Sequence, residues 1–189
     1  MKLNHLLIAA ICIWSLMASF HNYQYSLGYL RYTRQTHTTY PTVAICIETQ
    51  HSAQDWNSVE NTPIQTSLIP SLERTIVGPN LFEYNFRLYL AAQDDDDFWH
   101  QHQHHIKTPT WLSVLVKFYK PSQHKIPFNS LMKDAYNDGV DYLVRVSEDS
   151  TFETINWVAH AIDTLESYDP PNVGMVGTKS LQANKVITV

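Results

Sequence analysis

The triplet Ser147-Glu148-Asp149 is the part of this chain best suited to do chemistry, because it directly follows the apolar run Val140 to Val146. In open α/β sheets ligands bind outside the carboxyl ends of strands, so two acids leaving a strand there face the ligand. Paired carboxylates at such a point suit a hard divalent cation, which in turn neutralises phosphates. Asp149 is then the direct metal ligand, with Glu148 beside it or acting through water. The competing reading is a solvated acidic turn that caps the following segment, and the pair taken alone favours that reading.

A second candidate is Asp94 to Asp97 followed by His100, His102, His104 and His105. Imidazoles at short spacing bind zinc or copper, and clustered aspartates bind calcium or magnesium. Alternating His and Gln is also what a low-complexity surface insertion looks like, and nothing here has the fixed ligand spacing of a structural zinc site. The expectation for residues 94–107 is an exposed, mobile loop without a specific metal site. The third candidate pairs Thr42–Thr49 with Asn172–Gly177. Neither segment is a glycine-rich phosphate loop, and no G-x-S-x-G elbow occurs in the chain. They read as core strands flanking a site, and their side chains need not touch a ligand.

These residues need a scaffold, and the hydrophobic pattern supplies one. Thr42 to Thr49 is a compact β-branched apolar run, typical of a buried parallel strand. Leu81 to Ala91, Trp111 to Tyr119, Val140 to Val146 and Asn172 to Val176 are further strand candidates. Between them, Pro63 opens a helix over 63–77, in which Ile64, Leu68, Leu72 and Ile76 recur every fourth residue. Pro70 should kink or break it. Asn129 to Asn137 is a short helix closed by Asn137-Asp138-Gly139, and 154–167 carries Ile155, Val158, Ile162 and Leu165 on one face. Strands alternating with helices imply an α/β fold with one mostly parallel sheet, flanked by helices, over residues 42–189.

Ahead of that domain, Leu6 to Phe20 is an uncharged apolar stretch, ~22 Å long as a helix at 1.5 Å per residue. It is short for a membrane span and the right length for the apolar core of a signal peptide. An uncleaved signal anchor over 1–20 is the first reading, a cleaved signal peptide the second and a buried core helix the third. Residues 21–41 then form a stalk. Either of the first two readings sends the domain into the secretory pathway, as a lumenal Golgi or ER membrane protein or, failing an anchor, a secreted one.

Composition narrows the remaining classes. The 189 residues are 44% hydrophobic and 16% charged, enough to bury a core and incompatible with intrinsic disorder. Thirteen Lys and Arg against eighteen Asp and Glu give a formal net charge of -5, which argues against a dedicated nucleic-acid binder. Cys12 and Cys46 fall in an apolar leader and a buried strand, so no disulfide framework is expected.

The succession TVAICIET, TPIQTSLIPSLERTI and LFEYNFRLYLAAQDDDDF, followed by PFNSLMKDAYNDGVDYLVRVSEDSTFETINW and PPNVGMVG, resembles a glycosyltransferase domain of the GT-A fold. The resemblance spans about residues 42–188 and is most specific over 137–177, where it is nearest to a set of eukaryotic GT-A-like proteins. It implies a Rossmann-like, mostly parallel sheet. It also implies a D-x-D-type motif at Ser147-Glu148-Asp149 that holds Mn2+ or Mg2+ on the diphosphate of a nucleotide-sugar donor. The nucleotide would be contacted from the first strand, with Thr42 and Glu48 as candidate contacts, and the acceptor would be a glycan or a protein. Where the family has Asn-Asp-Asp, this chain has Ser-Glu-Asp, so only Asp149 is unaltered. GT-A enzymes also continue past the strand that NVGMVG matches, into a part that carries the acceptor site and the catalytic base. The resemblance therefore implies either a glycosyltransferase or a truncated, non-catalytic lumenal relative, and it names no catalytic base in this chain.

Overall fold

A computed structural model describes residues 40–49, 56–120, 128–179 and 186–188. The apolar leader and all but the last residues of the expected stalk lie outside the described residues. Among the described residues no helix is long and apolar enough to cross a membrane.

Four parallel strands form the central sheet: β1 (Thr42–Glu48), β2 (Asn85–Gln93), β3 (Leu112–Tyr119) and β4 (Tyr142–Arg145), in the order β3-β2-β1-β4. β1 is apolar on both faces because both are covered. Val43, Ile45 and Ile47 point to one face and Ala44 and Cys46 to the other, each no more than 1% exposed. Burying each of the two isoleucines stabilises the fold by about 1.5–3 kcal/mol.

Helices cover the sheet according to the direction in which the chain moves. β1, β2 and β3 step outward in one direction, and their connections lie on the first face. There a π-helical turn, Ile64–Leu68, runs into α1 (Ile69–Thr75), and the short helices α2 (Asn80–Glu83) and α3 (Asp97–His102) follow. Ile64, Leu68, Ile69, Leu72, Phe98 and Trp99 pack there against β1 and β2. After β3 the chain returns across the sheet to place β4 beyond β1, and a right-handed crossover then puts its helix on the opposite face. That helix, α4 (Phe128–Asn137), buries Phe128, Leu131 and Ala135 on Ala44, Cys46, Tyr89 and Ala91. Two tyrosines fasten it: Tyr119 Oη donates to Asp134 Oδ2 at 2.5 Å and Tyr89 Oη to Asp138 Oδ2 at 3.1 Å. Finally α5 (Trp157–Glu166) returns to the first face through Val158 and Ile162. The strand order therefore reverses between β1 and β4.

Several expected boundaries move for local reasons. The 63–77 helix is divided as Pro70 requires. Ile69 N–H reaches Ile64 O in a π-type bond, and α1 then carries the proline in its first turn, where no N–H is needed. The strand expected at 81–91 starts only at Asn85, because Pro79 nucleates the α2 turn before it. Residues 172–176 do not form a strand of the main sheet. Asn172 takes a left-handed φ of 60° and its N–H bonds Leu165 O at 2.8 Å, which folds the segment back onto the end of α5. The strand begins at Gly177 instead: β5 (Gly177–Lys179) pairs antiparallel with β6 (Val186–Thr188) in a separate two-stranded sheet.

The 94–107 segment is also not a loop throughout. Asp96 caps α3, accepting from Trp99 N–H at 3.2 Å, and a 3-10 turn, Gln103–His105, extends it. A capping aspartate followed by two aromatic residues that can reach the core outweighs the low-complexity character of the histidines.

Candidate functional site

Parallel strands put all their carboxyl ends on one rim of the sheet, and in open α/β sheets the point where the strand order reverses, here between β1 and β4, is where ligands bind. β4 joins β1 in register, with Cys46 opposite Arg145, and Val146 N–H extends the ladder to Cys46 O at 3.1 Å. The chain then turns at once: Ser150 N–H bonds Ser147 O at 3.1 Å, which makes Ser147–Ser150 a tight turn that carries Glu148 and Asp149. On the neighbouring strand β1 ends at Glu48, two residues past Cys46. Glu48, Glu148 and Asp149 therefore come off adjacent strand ends at one rim.

Their environments differ. Asp149 is exposed and Glu48 half-buried, whereas Glu148 is half-buried with its Oε2 shielded from solvent. Asp149 thus presents its carboxylate outward while Glu148 turns at least one oxygen into the protein. Thr42, the fourth residue singled out from the sequence, is not at this rim. It starts β1, about 20 Å from Glu48 along the strand, and is held by Asp141. Its N–H donates to Asp141 Oδ2 at 2.8 Å, and Asp141 N–H donates back to Thr42 O at 3.0 Å. Thr42 is a strand-start anchor, and the structure separates it from the three acids.

Residue types alone do not reveal what lies beside the end of β1 on its β2 side. Thr49, the residue after β1, is 2% exposed and accepts from Trp99 Nε1 at 3.0 Å, while its own N–H bonds Ala91 O. That bond seats α3 over the end of β1. The histidines of the segment follow from it. His100 stacks on Phe118 with ring centroids 3.9 Å apart and planes 6° apart, and its Nε2 lies 2.9 Å from Asp94 O. His102 packs against Phe98 and His105. Two imidazoles are thus committed to aromatic neighbours, and the signal that could have located them is the Phe98-Trp99 pair directly ahead. Past the acidic turn, Phe152 stacks on Trp157 at 4.3 Å, and Arg74 Nη2 holds the loop by donating to Phe152 O at 2.9 Å and Glu153 Oε1 at 3.3 Å. The path from the turn to α5 is thereby tied to the end of α1.

Cys46, inside the sheet just below the rim, is not a nucleophile at neutral pH: burial pushes its thiol up to about 12. Among the described residues no group of three or more His, Cys, Asp or Glu side chains could by itself hold a metal ion. The oxygen donors at the rim do suit a hard cation of the Mg2+ class. Such a cation is commonly held by one or two carboxylates, with water and substrate phosphates completing its shell. Carboxylates at this rim could hold such a metal only in company with a phosphorylated ligand.

The structure establishes a parallel-sheet α/β core flanked by helices, and comparison with known proteins adds no family to it: no family model, no curated protein and no solved structure matches the chain.

Proposed function

We propose that this chain is a GT-A-like, secretory-pathway domain that binds a nucleotide-sugar donor with Mn2+ or Mg2+ at the β1/β4 rim, in the manner of a glycosyltransferase. The observation that carries the reading is the Ser147–Ser150 turn, which sets exposed Asp149 beside the end of β1 where the strand order reverses. A diphosphate and these carboxylates repel each other unless a cation lies between them, so binding must depend on the metal. Bound there, the cation would supply Lewis-acid stabilisation of the departing diphosphate, worth several kcal/mol. Asp149 would hold it, Glu148 would position the turn and contribute where its geometry allows, and Glu48 would face the nucleoside side of the rim. The membrane anchor, the donor sugar and the glycan or protein acceptor belong to this proposal as well.

A second reading, a non-catalytic binding module on the same scaffold, is favoured by one observation. The shielded Oε2 of Glu148 leaves Asp149 as the exposed acid of the pair. Titration calorimetry separates the readings from failure of both. Uridine and guanosine diphosphates are titrated with and without Mn2+ into wild type and Asp149→Asn. Metal-dependent binding that Asp149→Asn abolishes is the expected result, and turnover of a nucleotide sugar would then distinguish enzyme from binding module. Absence of binding at millimolar nucleotide with Mn2+ present refutes the donor site.

A further inference from the structure

Arg145 is the last residue of β4 and lies opposite Cys46 on β1. Cys46 and Glu48 are two residues apart on one strand, so Arg145 leaves the sheet on the same face as both, the face that α4 covers. Glu48 is thus a diagonal cross-strand neighbour of Arg145, at a spacing that a long side chain spans easily. The guanidinium goes elsewhere. It sits over the ring of Phe128, the first residue of α4, 4.2 Å from the centroid. Phe128 is 7% exposed and therefore a fixed platform, while Arg145 itself remains exposed. Arg145 takes part in none of the ion pairs among the described residues, which join Arg74 to Glu153, Lys107 to Glu60 and Lys117 to Asp138.

We propose that Arg145 binds the phosphates of the ligand at the β1/β4 rim, an inference that rests on the nucleoside-diphosphate reading of that rim and adds a protein cation to it. The contact with Phe128 engages one side of the guanidinium, and its N–H groups donate to no acceptor among the described residues, so they are available to bind phosphate oxygens in pairs. The contact also fixes the side chain before the ligand arrives, so little rotamer freedom is lost on binding. Charge points the same way. The rim carries Glu48, Glu148 and Asp149, and a diphosphate brought among them needs positive charge from the protein as well as from the metal. A guanidinium engaged in no ion pair among the described residues is available for that task.

The test is calorimetry on the full chain, with uridine diphosphate and uridine, and guanosine diphosphate and guanosine, as probes, all with Mn2+. Wild type, Arg145→Met and Arg145→Lys are compared, together with their thermal midpoints. The expected result is a diphosphate affinity roughly tenfold to a hundredfold weaker in Arg145→Met, the usual cost of a lost charge-assisted hydrogen bond. Nucleoside affinity and thermal midpoint should stay at wild-type values, and Arg145→Lys should recover part of the loss. Unchanged diphosphate binding in Arg145→Met, with wild type binding normally, overturns the role of Arg145 and leaves the rim reading standing. Equal loss of nucleoside and diphosphate assigns Arg145 a purely structural role and also overturns it. If wild type binds no diphosphate at all, the rim reading falls and this inference falls with it.

Discussion

Replacing Thr49 by valine isolates the contact that seats α3 over the end of β1. Valine keeps the shape of threonine and removes the hydroxyl that accepts from Trp99 Nε1 at 3.0 Å. Trp99 is 0% exposed, so its indole N–H loses its acceptor with no water to replace it. A neutral buried hydrogen bond contributes about 1 kcal/mol net, and stranding the donor raises the loss to about 1–3 kcal/mol. For a folded unit of this size, each kcal/mol lowers the melting temperature by about 2–4 °C, so the expected drop is about 2–12 °C. Chemical denaturation of Thr49→Val, Trp99→Phe and the double variant gives the coupling directly. The double variant should lose less than the sum of the two singles, because it removes the stranded donor together with its acceptor. A Thr49→Val loss below about 0.3 kcal/mol, or strict additivity, would refute the claim that this bond holds α3 in place.

Other consequences follow from the same contacts. His100→Ala should cost about 0.5–1.5 kcal/mol through its lost stack on Phe118, whereas exposed His104→Gln should stay within about 0.5 kcal/mol; denaturation midpoints compare them, and equal effects would contradict the stacking geometry. Native Cys46 should resist thiol reagents at pH 8 and react only on unfolding, since it is 0% exposed and its thiol is pushed up to about 12 by burial. The sign of its pH dependence is fixed. The unfolded thiol loses its proton near 9 while the folded one keeps it, so stability is full below about pH 9 and falls from there towards pH 12. Tyr84, Tyr89 and Tyr119, all raised first by burial, add to the alkaline loss, and Cys46→Ala should make the fall measurably shallower.

Periodicity and β-branching located β1, β3, β4, α4 and α5 to within a few residues, because each buries a face whose spacing matches its own repeat. Three features were illegible for separate physical reasons. α3 is only six residues long and carries histidines and glutamines that mimic a solvated insertion; its stability comes from the Asp96 cap and from Trp99, whose partner Thr49 is 50 residues away. Asn172 to Val176 is as apolar as a strand, yet the Leu165 bond and left-handed Asn172 turn it back, and residue types alone do not encode that. Thr42 and Glu48 read as one site because they share a strand, although opposite ends of a parallel strand face opposite rims. The acidic turn, by contrast, was legible, since an apolar strand running straight into Ser-Glu-Asp has to deliver those acids to a rim. The Phe128–Arg145 contact needed the crossover of α4, which brings residues 17 apart in sequence together.

The most direct test of the account is where a metal lands. With a diphosphate bound, paramagnetic Mn2+ broadens the amide resonances nearest to it, so NMR spectra of the labelled chain locate the ion without reference to activity. The account predicts broadening centred on Glu48–Thr49 and Ser147–Ser150 that requires uridine or guanosine diphosphate and disappears in Asp149→Asn. Broadening centred on Asp94–His105, or broadening that ignores both the nucleotide and the Asp149 substitution, would contradict it.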